Sequence, residues 1–204
     1  MVDINKGRIF AIELEQKYKL KTKNIMGYTH YWTFRPQYLK KEQVDTIVKG
    51  VNKIISNYPT IKIVDGLGEK DTQPDINTDY IQLNGCEKQG YETFHIDLEK
   101  EKYSFNFCKT AHQDYDIIIC QILILLGEII SDDIIFSFSS DGLSEKYAKS
   151  LSINDNITID DIENGIVVND YSINSENFMH DSWKEAIIQY HYYMHNYILN
   201  VEVE

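Results

Sequence analysis

Residues 111–130 read AHQDYDIIICQILILLGEII, with apolar side chains around nearly the whole circumference of a helix. A helix with no polar face is normally buried on all sides. Its longest apolar run, residues 117–126, is too short to span a bilayer and contains Gln121. The rest of the chain must therefore supply the layers that cover this helix. Its 204 residues suffice for one domain with a full core, or for a core plus an appendage. Asp114 or Asp116 is the expected cap.

The covering strands are legible from alternation. In MGYTHYWTF, Tyr28, His30, Trp32 and Phe34 share one face, and Arg35-Pro36 ends the strand. Residues 91–111, YETFHIDLEKEKYSFNFCKTA, read as a β-hairpin. Glu92, Phe94, Ile96 and Leu98 line one face of its first arm, and Tyr103, Phe105, Phe107 and Lys109 one face of its second. Symmetric closure would set Glu92 opposite Lys109, an acid and a base at the mouth of the core. The plain reading is a cross-strand ion pair. The sharper one is a polar site, because opposed charges on an apolar face are costly unless paired or solvated.

Val44, Ile47, Val48, Val51, Ile54, Ile55 and Tyr58 give residues 40–58 a helical period, bounded by Pro59. Short strands are expected at 61–64 and 80–84, separated by a surface loop that could act as a lid. Another strand at 134–139 places Ile134, Phe136 and Phe138 on one face, with a helix over about 143–151 beyond it. Asn164-Gly165 signals a later hairpin, and Ser182-x-x-Glu185 opens a Tyr-rich terminal helix. Turns this short join antiparallel strands, so the expected class is α+β: a mostly antiparallel sheet with helices on one face. The domain reading is an extension over 1–25, a core over 26–151 and a hairpin-and-helix appendage over 152–204.

The net charge of -12 and pI near 4.9 oppose general nucleic-acid or anionic-membrane binding. Cys86, Cys108 and Cys120 have no Cys-x-x-Cys spacing and read as reduced, mostly buried thiols. The first residues carry acids within their apolar stretch and do not form a signal peptide. A soluble, non-exported protein is expected.

Four blocks occur in order: Met26-Gly27-Tyr28-Thr29-His30-Tyr31-Trp32; Glu92-Thr93-Phe94; Phe107-Cys108-Lys109-Thr110-Ala111, with Tyr115-Asp116 beyond it; and Ser139-Ser140-Asp141-Gly142. Together they resemble a family of small proteins of bacteriophages and some large DNA viruses that has no established activity. The resemblance covers about residues 26–150 and implies that the flanking segments are additions to a shared core. It implies a viral accessory protein, in the cytoplasm of an infected host cell or with the virion. Many relatives carry basic residues after the Thr-Ala, where this chain has His112-Gln113-Asp114; a strongly phosphate-directed corner is not implied.

The blocks and the hairpin together nominate His30, Glu92 and Lys109 as a site for a small polar or anionic, nucleotide-like ligand. If catalysis occurs there, His30 would be the general acid or base and Lys109 the anion stabiliser, with a carboxylate to orient the imidazole. Tyr28, Trp32, Thr110, Tyr115, Asp116, Ser139, Ser140 and Asp141 are the accompanying ligand-binding candidates. Cys108 alternates away from Lys109 and reads as a packed thiol. A Ser139, His30, Asp141 triad lacks a nucleophile elbow. His191 and His195 share a helical face with His180 nearby, but no third ligand is secure. No metal and no cofactor are expected. The alternative is a non-catalytic protein that binds a viral or host partner through its acidic surface and terminal helix.

Overall fold

The computed structural model describes residues 28–99, 103–141 and 181–194. In chain order these form β1 (Thr29–Phe34), α1 (Lys41–Ser56), β2 (Ile63–Val64), β3 (Asp75–Ile76), β4 (Tyr80–Gly85), β5 (Phe94–Asp97), β6 (Ser104–Lys109), α2 (Asp116–Ile130), β7 (Phe136–Ser140) and α3 (Asp181–Tyr193). All strand pairings among them are antiparallel. The class is α+β, as the alternation predicts, but the strands divide into two sheets. One has the order β6-β1-β7. The other is built on β4, which pairs with β2 at its Gly85 end and with β3 and β5 along the rest.

β1 alternates as expected, with His30, Trp32 and Phe34 buried and the residues between them half-buried. Pro36 then opens a single 3-10 turn. On α1, Ile47, Gly50, Val51 and Ile54 face inward. A Cβ at Gly50 would lie 2.8 Å from Leu125 Cδ2, so this glycine lets α1 and α2 approach closely. Gln43 links the same two helices by donating its side-chain amide to the Ile129 carbonyl at 2.9 Å. α2 is buried continuously from Asp116 to Leu126, as its all-round apolar pattern requires. Tyr115 precedes it without a capping side chain, and Asp116 turns inward as its first residue.

The hairpin does not form. β5 joins β4, where Ile96 meets Ile81 and Phe94 meets Leu83, while β6 joins β1. Alternation shows that β6 has two faces but not which is inward; the register with β1 decides it. His30 lies opposite Cys108, and Trp32 opposite Asn106, on the inner face. Tyr31 and Thr33 lie opposite Phe107 and Phe105 on the outer face. The small inward residues of β6 leave room for Trp32 and Phe34, and Phe105 and Phe107 are more than half exposed. Phe107→Thr is accordingly expected to change urea-denaturation stability by less than about 0.5 kcal/mol, whereas Phe94→Ala should cost about 3–5 kcal/mol. Equal losses would contradict the register.

The expected lid is anchored. The Gly66 carbonyl accepts hydrogen bonds from Thr93 Oγ1 at 2.5 Å and Asn84 Nδ2 at 3.3 Å, and the Gly68 carbonyl accepts from the Glu87 N–H. Ile134 is exposed and precedes β7 rather than sharing its inner face. α3 is part of the core: Trp183, Ala186, Ile187, Ile188, Tyr190 and Met194 are buried with α2 and the sheet. Of the tyrosines on this helix, Tyr190 is buried, whereas Tyr192 and Tyr193 are half-buried. The expectations for 1–25, for 143–151, for the Asn164-Gly165 hairpin and for His180 and His195 fall outside the described residues.

Candidate functional site

Antiparallel pairing brings the start of β1 beside the ends of β6 and β7. Alternation sends His30 and Ser140 inward at this end and Thr29 and Lys109 outward. His30 is completely buried. Its Nδ1 lies 2.7 Å from Ser140 Oγ and its Nε2 lies 2.7 Å from Asp116 Oδ1. Thr110 Oγ1 donates to the same carboxylate oxygen. A carboxylate can only accept, so Nε2 carries the proton. The Ser140 hydroxyl therefore donates to Nδ1 of a neutral ring or accepts from an imidazolium. Burial by itself would raise the Asp116 pKa, but the His30 charge and the His112, His30 and Thr110 side chains outweigh it and hold the carboxyl below its ordinary value.

The turn into α2 shapes the other side of the site. Ala111 and His112 are consecutive non-glycine residues in the left-handed region, with φ of 49° and 56°. That conformation is costly and persists only where the surroundings impose it. It stacks the His112 ring on Tyr28 at 4.0 Å and holds Nδ1 3.8 Å from Asp116 Oδ2. Burial, then the nearby Cys120 and Asp116, pushes the Tyr28 hydroxyl far up. Cys120 lies one helical turn beyond Asp116 on the same face. Trp183 of α3 roofs the centre, edge-on to His30 at 5.7 Å and stacked on Phe138 at 5.6 Å.

Around this buried floor runs a charged rim. Glu92 and Lys109 are neighbours, but through the backbone: Glu92 Oε2 accepts the Lys109 N–H at 2.7 Å, and the Glu92 N–H donates to the Lys109 carbonyl at 3.1 Å. Glu92 thus caps the end of β6. The Lys109 ammonium lies 5.5 Å from the Tyr91 ring centre. Asp141 Oδ2 accepts the Thr29 N–H at 2.9 Å, and Oδ1 accepts from the Tyr31 hydroxyl at 3.2 Å.

Of the nominated residues, Tyr28, His30, Thr110, Asp116 and Ser140 form one buried centre, and Glu92, Lys109 and Asp141 form its rim. His30 and Lys109 do not share a face, because Lys109 is registered with Thr29. Ser139 points outward opposite Tyr31. Trp32 packs in the core against Phe94 at 5.1 Å. Tyr115 donates its hydroxyl to the Glu92 carbonyl at 3.1 Å. Cys108 is the inward residue of its pair, and burial followed by the Glu92 charge pushes its thiol up. The Ser-His-Asp array in the fold is Ser140, His30 and Asp116, not Ser139, His30 and Asp141.

Three members of the centre are not among the nominated residues: His112, Cys120 and Trp183. The spacing His112-x3-Asp116-x3-Cys120 was the available signal for two of them. Nothing local marks Trp183, which comes from a segment far along the chain. The chain matches no protein-family model, no curated protein and no solved structure.

Proposed function

We propose that the chain is a viral accessory protein that binds a small polar or anionic ligand, of nucleotide or sugar-phosphate type, at this end of the β6-β1-β7 sheet. The observation that carries the reading is the grip on His30, held at both ring nitrogens by Ser140 and Asp116 at 2.7 Å each. A ring fixed in this way can pass a proton between a hydroxyl and a carboxylate without reorienting. In this reading Lys109 meets the ligand's anionic group, and Asp141 and Glu92 shape the rim. His30 with Asp116 is the proton-handling pair beneath it. Thermal-shift measurements against nucleotides and sugar phosphates test it. A ligand should raise the melting temperature of the wild type and raise that of Lys109→Ala much less. If every compound shifts both proteins equally, or shifts neither, the reading fails.

A second reading, binding to a viral or host protein, is favoured by the outer face of the same sheet. Tyr103, Phe105 and Phe107 are exposed there, Tyr31 stacks on Phe105 at 6.3 Å, and Arg35 lies over the Tyr103 ring at 5.1 Å. Aromatic clusters with a cation beside them suit a partner segment carrying acidic groups.

A further inference from the structure

We infer that the centre beneath the rim is a site for a divalent transition metal of zinc type, with His30, Asp116 and Cys120 as its ligands. One donor atom from each of the three lies within 4.8 Å of the others, and all three residues are buried. Asp116 and Cys120 are one turn apart on α2, and His30 faces them from the sheet, so two rigid elements hold the donors. A second, independent observation points to a ligand. Asp116 Oδ2 is buried and accepts no hydrogen bond of ordinary length, its contact with His112 Nδ1 being 3.8 Å, although Oδ1 takes two. Native proteins rarely leave a buried carboxylate oxygen in that condition.

The donor chemistry narrows the metal. One imidazole, one carboxylate and one sulfur suit zinc or cobalt, whereas calcium and magnesium take oxygen donors. Ligands of a tetrahedral zinc at bond lengths of about 2.0–2.3 Å lie roughly 3.3–3.7 Å apart. His112 Nδ1, 3.8 Å from Asp116 Oδ2, lies beside the three donors as an outer contact of the carboxylate. His30 Nε2 and Asp116 Oδ1 are now held together by a proton, and the metal would replace it. The Nε2 proton moves to Nδ1 from a neutral ring or leaves to solvent from an imidazolium, and the Cys120 thiol proton leaves to solvent as sulfur becomes a thiolate ligand. Nδ1–H then donates to Ser140 Oγ, the outer contact that metal-bound histidines usually make.

The inference rests on the same His30–Asp116 centre as the proposed function but does not involve Lys109, so the two can fail separately. The test is cobalt titration of the full chain after chelator treatment. The wild type should bind one Co2+ with a thiolate-to-cobalt charge-transfer band in the near ultraviolet and intense visible bands of tetrahedral coordination. Cys120→Ser should lose the charge-transfer band, Cys108→Ser and Lys109→Ala should keep it, and His112→Gln should weaken binding by about 10–100-fold. Zinc should displace the cobalt. A wild-type protein that shows no thiolate band, or a band that survives Cys120→Ser, overturns the inference. Were Cys120→Ser to fail to fold, a wild-type band retained in both Cys86→Ser and Cys108→Ser would still assign it to Cys120, and a band lost in either would overturn the inference.

Discussion

Asp116→Ala is expected to lower the unfolding free energy of the metal-free protein by about 3–5 kcal/mol, the usual consequence of removing a buried carboxylate from its hydrogen-bonded partners. The carboxylate has His30 Nε2 and Thr110 Oγ1 as donors, and neither could turn to water in the variant because both side chains are fully buried. Each would keep a desolvated polar group without a partner. The effect also carries a pH signature. The Asp116 pKa is lowered by folding, so its contribution is complete above the ordinary carboxylate value of about 3.9 and drains away as pH falls toward the folded value. The stability gap between wild type and Asp116→Ala should thus narrow as pH falls below about 4. Urea denaturation at a series of pH values, with a chelator present, measures it. A gap that widens as pH falls below about 4 would mean that the carboxylate is not charged in the fold.

Trp183→Ala should cost a similar amount, about 3–5 kcal/mol, from lost aromatic burial and the cavity left behind. The indole is completely buried between α2, Phe138 and His30, and it anchors the start of α3. Beyond the stability loss, the variant should expose His30 to an imidazole-modifying reagent that spares it in the wild type. Trp183→Phe keeps a ring against Phe138 and should recover most of both effects. Denaturation curves, and the rate of histidine modification followed by peptide mass, are the measurements. A loss below about 1 kcal/mol would mean that the helix is not docked on the core, since core truncations of this size cost several times more.

Legibility in the sequence followed the range of the interactions. The inward row of β1, the helical period of α1 and the burial of α2 are set by side chains a few residues apart, and local patterning revealed all three. The partner of β6 is set by competition between strands. Local alternation fits a hairpin with β5 as well as a ladder with β1; what separates them is that Phe94 and Ile96 fit β4 while the small residues of β6 make room for Trp32. The candidate site was half legible for the same reason. His30, Asp116 and Ser140 were all nominated, yet their mutual contacts depend on three strand ends and a helix start meeting. Glu92 and Lys109 did end up adjacent, but through main-chain hydrogen bonds that side-chain patterning does not encode.

The roof over His30 has a consequence for biogenesis. The floor of the centre is complete once Ser140 has been synthesised, but Trp183 follows 43 residues later. At about 5–20 residues per second, translation leaves roughly 2–9 s between the two. Until Trp183 docks, the ring of His30 lacks its indole cover. The order of synthesis therefore makes α3 the last described element to reach the centre, and its docking is the step that covers it.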